Sequence, residues 1–303
     1  MAAVTPPPDK LVPNDPRVTH HTVTLNGHKW HYLLGTPPSS VPPAGTILLV
    51  HGHPDLAFGW RYQVPYLLSL NLRVIVPDML GYGDTDAPED PAEYSHRKIC
   101  ASLAALIRHV LPDPEENPRV LLGGHDWGGA VVWKFAALWH PEMVAGVFSV
   151  CTPYGPPQTE YGGLEALVER VPNFRYQLQL AGEELEELVT REGLVGGTRK
   201  GLHGPLNWYR TGKVNFEEER EVAAEGPARW MVTMPAMMIS AKKDPFLPPW
   251  MSANMDRLFD DLVKHEVDAS HWALWEAPNE VNGYIGEFVK RVLGGEKPLK
   301  ASI

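Results

Sequence analysis

Five short apolar runs constrain this 303-residue chain more than anything else in it: Thr46–Val50, Val74–Val76, Val120–Leu122, Ala145–Val150 and Met237–Ile239. None alternates with polar residues, so each is buried on both faces, as in a parallel sheet covered by helices. Helical patterns lie between them. Ile99, Leu103, Leu106 and Val110 share one face, and Gly129 to Trp139 reads as a second helix stopped by Pro141. Ahead of them, Val23–Leu25, Asn26-Gly27 and His28–Leu34 read as a β-hairpin, since Asn-Gly supplies the two positive-φ residues of a tight turn. Strand and helix alternate, and the class is α/β with a mostly parallel central sheet.

The alternation fails between Thr152 and Arg229. Acidic helical pieces (Gly182–Val189 and Phe216–Glu221) and a Gly-rich break at Gly196-Gly197 occupy that stretch. Residues 152–229 therefore read as a helical cap inserted into a core of 1–151 and 230–303, with the charge runs as solvated helix faces.

Composition removes several function classes. The formal net charge is −10 with no long basic run, which argues against nucleic acid and anionic membrane surfaces as partners. Cys100 and Cys151, the 2 cysteines, cannot make a disulfide framework, and no Cys/His spacing suits a metal. The start of the chain has no signal-peptide pattern, no apolar run reaches membrane length, and Lys300–Ile303 is not a peroxisomal address. A cytoplasmic enzyme without cofactor or metal, monomeric or homodimeric, is expected.

The sharpest motif is Gly123-Gly124-His125-Asp126-Trp127-Gly128-Gly129, directly after one strand and before a helix. It has the form small-x-nucleophile-x-small, in which glycines clear space around a strained backbone. Asp126 stands where an esterase holds serine. A carboxylate is ionised at neutral pH and attacks without a base, but at an ester carbonyl it would give an uphill anhydride. At saturated carbon it gives an alkyl ester that water can cleave. Carbon electrophiles with a leaving group, epoxides or alkyl halides, are the expected substrates.

The second step needs a base, an acid to orient it and an oxyanion hole. His271 follows the last strand-like segment and completes the chain order nucleophile, acid, histidine. Asp244, just past Met237–Ile239, is the acid; Asp268 is nearer in sequence, but a three-residue spacing suits a turn cap better. The N–H groups of Trp127 and of His53, in the turn His51-Gly-His-Pro54, would hold the oxyanion.

Together with Gly81–Pro88, these segments resemble the α/β-hydrolase-fold soluble epoxide hydrolases and, more distantly, the haloalkane dehalogenases. Phe174-Arg-Tyr-Gln177 and Asn207-Trp-Tyr-Arg210 look like the two tyrosine-bearing cap segments of the former. The resemblance covers about residues 10 to 295 and implies a short microbial or fungal form without a phosphatase domain. It implies that Tyr176 and Tyr209 hold the epoxide oxygen, and that Trp127, Phe174, Gln177 and Pro54 contact substrate. Chemistry agrees, because an opening epoxide makes an alkoxide and a neutral phenol can protonate it. Hydrolysis of epoxides to vicinal diols, in detoxification or biosynthesis, is the expected activity. Haloalkane dehalogenation with the same Asp126 is the alternative, and a ligand receptor on the same fold is a third reading.

Overall fold

The computed structural model describes residues 8–38, 40–111, 119–192 and 200–295; the Gly-rich break at Gly196-Gly197 falls outside them. Eight strands form one sheet: Val18–Leu25 (β1), His28–Gly35 (β2), Gly45–Val50 (β3), Leu72–Pro77 (β4), Val120–His125 (β5), Val144–Val150 (β6), Ala236–Ala241 (β7) and Leu262–Val267 (β8). Their order is β1-β2-β4-β3-β5-β6-β7-β8. β1 and β2 are the expected hairpin, turning at Asn26 (φ 50°) and Gly27 (φ 91°). β2 runs antiparallel to β4, and every later pairing is parallel.

The unbroken apolar runs have a direct explanation. On β3, Ile47 and Leu49 feed one core, packed by Val64 and Leu67 of Gln63–Ser69 (α1). Leu48 and Val50 feed the other, packed by Ile99 and Leu103 of His96–Val110 (α2) and Val131 and Val132 of Trp127–Lys134 (α3). Successive side chains point to opposite faces, and both faces are covered. β8 is different. At the sheet edge, exposed Lys264 and Glu266 interrupt Val263, His265 and Val267, so no apolar run marks it.

Among the described residues between β6 and β7 are five α-helices: Gly163–Arg170 (α4), Arg175–Ala181 (α5), Glu184–Glu192 (α6), Lys200–Asn207 (α7) and Gly212–Ala224 (α8). After β8 come Ala273–Glu276 (α9) and Pro278–Leu293 (α10). The helical segment is fastened to the sheet side of the molecule by polar groups. Trp208 Nε1 donates to Leu80 O at 2.9 Å, and Asn173 Nδ2 donates to Pro245 O at 2.7 Å.

Two acidic runs are not wholly solvated as expected. Glu219 of α8 is buried, 2.6 Å from Lys134 Nζ and 3.2 Å from His96 Nδ1. Glu186 of α6 is buried against Arg210 (2.6 Å) and His203 (3.1 Å). Each run keeps one carboxylate inward because a cation waits there, and charge patterning along a helix does not reveal a partner from another element. The second helix also differs from expectation. It starts at Trp127 and gives way to a wider π-type turn at Phe135–Trp139 before Pro141. No helix among the described residues is long and apolar enough to cross a membrane.

The strand order places the site. β3 lies between β4 and β5, and the connections from β3 and β5 run to opposite sides. At such a switch point the loops leaving the two carboxyl ends diverge and open a crevice. Val50 pairs with Gly124, so residues 51–53 and 125–127 leave the sheet side by side. The close approach demands glycine: a Cβ on Gly128 would sit 2.1 Å from Val50 O, and one on Gly124 2.3 Å from Gly128 O.

Gly128→Ala should therefore cost about 3 kcal/mol, an overpacking penalty against backbone that cannot move aside. Gly283→Ala, on the exposed face of α10 with nothing within 4 Å of the new methyl, should instead stabilise by about 0.5–1 kcal/mol. Urea unfolding of both variants checks the contrast. Equal effects of the same sign would remove this account of the turn.

Candidate active site

Asp126 sits on the turn between β5 and α3 with φ 53° and ψ −124°. A residue with a side chain adopts this conformation only where its surroundings hold it. Here the main-chain oxygen of Asp126 accepts from Gly129 N (2.9 Å), Ala130 N (3.2 Å) and Thr152 Oγ1 (2.7 Å). The carboxyl group is buried and divided between two partners. His53 N donates to Oδ1 at 2.7 Å, and His271 Nε2 stands 3.4 Å from Oδ2. Trp127 is the first residue of α3, so its N–H lies outside the helix's own hydrogen bonds. The bond between His53 and Pro54 is cis.

His271 Nδ1 is 2.8 Å from Asp244 Oδ2. The other oxygen of Asp244 accepts from Phe246 N (2.9 Å) and Leu247 N (3.0 Å), so the acid is itself held. Asp268 is exposed and pairs with Lys243 at 2.8 Å. The main-chain oxygen of His271 accepts from His125 Nε2 (2.8 Å) and Cys151 Sγ (3.5 Å). His125, Cys151 and His271 lie close enough together for a metal, within 4.8 Å. His125 Nε2 and Cys151 Sγ instead hold the main chain of His271, whose ring nitrogens face Asp126 and Asp244, while His125 Nδ1 has no partner among the described residues.

Two phenols complete the arrangement. The Tyr176 and Tyr209 rings meet edge to face at 6.2 Å, and Tyr209 also stands edge to face with Trp127 (5.3 Å) and His53 (5.2 Å). Phe246 joins Tyr176 (4.9 Å) to His271 (5.5 Å). Gln177 Nε2 lies 3.4 Å from the Tyr176 hydroxyl. Phe174 packs against the α1-side core, and Pro54 is exposed.

Burial and charge tune the groups in opposite directions. Burial opposes ionisation of Asp126, but the hydrogen bond and positive charge of His271 win and hold its carboxyl well below the usual range. Burial likewise pulls the His271 imidazole down, and its bonds to Asp126 and Asp244 overcome that, raising it to about 10. Burial, reinforced by the charge of Asp126, pushes both tyrosines up and keeps them protonated. The resting site is thus an ion pair facing two neutral donors.

Residues 47–283 match the Alpha/beta hydrolase family. The chain belongs to that family. It is 41% identical to Epoxide hydrolase srdG of Neurospora crassa over 94% of this chain and 99% of that protein. It is 31% identical to Bifunctional epoxide hydrolase 2 of Rattus norvegicus over 94% of this chain, spanning 57% of the rat protein. Among solved structures, epoxide hydrolase VrEH1 from Vigna radiata superposes with a TM-score of 0.76 at 23% identity, covering 91% of this chain and 99% of that one. Epoxide Hydrolase A from Mycobacterium thermoresistibile gives 0.77 at 24% identity, covering 90% and 98%. This chain shares its α/β-hydrolase fold with both solved structures.

Within this α/β-hydrolase site two ionisable groups escaped the sequence reading. Asp55, next to Pro54, is raised to about 7 by burial, and its Oδ2 has no partner among the described residues. The imidazole of His53 joins the site as well as its amide. Position in or next to the His-Gly-His-Pro turn was the available signal for the two.

The ion pair generates a measurable expectation. In Asp126→Asn the charge that holds the His271 proton is gone, so the imidazole should titrate well below its native value, back toward the ordinary 6.5. NMR titration of the His271 ring reads this directly. An unchanged titration would mean that Asp126 and His271 are not coupled.

Proposed function

We propose that this chain is an epoxide hydrolase that opens epoxides to vicinal diols through an alkyl ester on Asp126, with residues 152–229 acting as a cap over the core. One arrangement carries the reading: a carboxylate with Oδ1 on the His53 N–H (2.7 Å) and Oδ2 toward His271 (3.4 Å), beside two protonated phenols. The relatives named as epoxide hydrolases support it. A leaving halide needs no proton, so paired phenols favour an oxygen leaving group over a halide.

The steps follow from the resting charges. Oδ2 of Asp126 attacks a ring carbon, the C–O bond breaks, and Tyr176 or Tyr209 gives its proton to the departing oxygen. The bond formed is an ester, and its carbonyl oxygen is Oδ1, still on the His53 N–H. Esterification removes the negative charge of Asp126. His271 thereby loses a main support of its proton and releases it to the tyrosinate, which restores the phenol. Neutral His271, oriented by Asp244, then takes a proton from water as the hydroxide adds to Cγ. The oxyanion forms at Oδ1, where the amides of His53 and Trp127 stabilise it. Collapse expels the diol oxygen with the proton from His271. The protonated Asp126 left behind returns its proton to His271, and the ion pair is regenerated.

Either phenol can donate, so Tyr176→Phe and Tyr209→Phe singly should slow diol formation from styrene oxide by about 10–100-fold. The double variant should lose about 10³-fold or more, with circular dichroism unchanged. Full activity in the double variant would end the assignment of oxygen activation to the cap.

His271→Gln should block only the second step. Mixed with styrene oxide, its intact mass should rise by one substrate, with the adduct on the peptide containing Asp126. Diol formation at native rate without an adduct would mean that water attacks the epoxide directly.

A further inference from the structure

The mechanism uses the amide of His53 but not its ring. Nδ1 of that ring lies 2.9 Å from the Tyr82 hydroxyl. Tyr82 is buried, burial pushes its hydroxyl pKa well up, and the hydroxyl has no other hydrogen-bond partner among the described residues. Its proton is therefore directed at Nδ1, which accepts. Burial also lowers the His53 pKa, so the imidazole is neutral and carries one proton. With Nδ1 accepting, that proton is on Nε2. Among the described residues Nε2 has no partner, and the ring is only half-buried.

The ring's position gives the free N–H a purpose. The same residue's amide binds Asp126 Oδ1, and the ring stands edge to face with Tyr209 at 5.2 Å and 88°. His53 thus touches both the carboxylate proposed to attack carbon and a phenol proposed to protonate the departing oxygen, so its ring borders the space that an epoxide held by both would occupy. We infer that His53 Nε2–H is a specificity-determining donor for an oxygen on the substrate, so that the site prefers epoxides bearing a hydroxyl or carbonyl group next to the ring. A purely hydrocarbon substrate leaves that donor without a partner once water is excluded, whereas an oxygenated one satisfies it. Tyr82 is the positioning residue, because it decides which ring nitrogen carries the proton. The inference rests on the epoxide reading and concerns only which epoxides are favoured.

The test compares two epoxides that differ in one group: trans-phenylglycidol, with a hydroxymethyl substituent, and its isostere with ethyl in that place. The readout is the ratio of their kcat/KM values, in which any damage common to both substrates cancels. The native protein should favour the hydroxyl substrate by about tenfold. His53→Phe should bring the ratio to about one, while His53→Gln, which keeps a side-chain N–H, should retain part of the preference. Tyr82→Phe lets the proton move between the ring nitrogens and should lower the ratio severalfold; it carries the comparison if His53→Phe does not fold. A native ratio of one, or a ratio unchanged in His53→Phe, would overturn the inference while leaving the epoxide reading in place. Turnover of neither epoxide by the native protein would overturn the epoxide reading, and this inference with it.

Discussion

Everything in the site depends on the left-handed backbone at Asp126. The conformation turns the chain from β5 into α3 in a single residue and leaves the carboxyl group in the crevice where β3 and β5 part. It persists because three donors grip the Asp126 carbonyl and because Gly124 and Gly128 let main chains approach within distances no Cβ allows. The cost of such a conformation is on the order of 1–3 kcal/mol, which the packed sheet can absorb. The same turn brings the Trp127 N–H to the start of the helix, where it has no intrahelical partner.

The second organising interaction is ionic. Asp126, His271 and Asp244 lie within one buried chain of contacts of 3.4 Å and 2.8 Å, with a single cation between two carboxylates. Burying charges is expensive unless each is paired and hydrogen-bonded, and here the outer carboxylate is anchored by two amides. The arrangement is stable at rest, and the proposed ester at Asp126 would alter it by removing one of the two negative charges. In the proposed reaction a base would thus be released only after the nucleophile has reacted.

The helical segment contributes the phenols and is tied down by buried charge. Glu219 of α8 meets Lys134 at the end of α3 and His96 at the start of α2, so one carboxylate joins three helices. Arg210, adjacent to Tyr209, meets Glu186 of α6 and the carbonyls of Ala181 and Gly182. Tyr209 is consequently fixed from both sides: its neighbour Trp208 donates to Leu80 O on the sheet side, and Arg210 binds within the helical segment. Two rigid attachments around one residue suit the proposed role of Tyr209 as a donor that must meet a carboxylate on another element.

Much of this was legible in the amino-acid sequence for physical reasons. Apolar runs without alternation require burial on both faces, so the parallel sheet followed from Thr46–Val50 and its counterparts, whereas β8 at the edge left no such run. Glycines flanking Asp126 announced a turn that only glycine permits, and a carboxylate in the nucleophile's place pointed to carbon electrophiles as the expected substrates. The order of Asp126, Asp244 and His271 along the chain was also readable. Spacing already favoured Asp244 over Asp268, but tertiary structure alone gave Asp244 its burial and its bond to His271, because both depend on where a loop lands. It alone turned Glu186 and Glu219 inward, since their cations come from other elements. And it alone brought the ring of His53 to Tyr82 and Tyr209, residues 29 positions and more away in the chain, because a contact at that separation exists only once the sheet has set the two ends side by side.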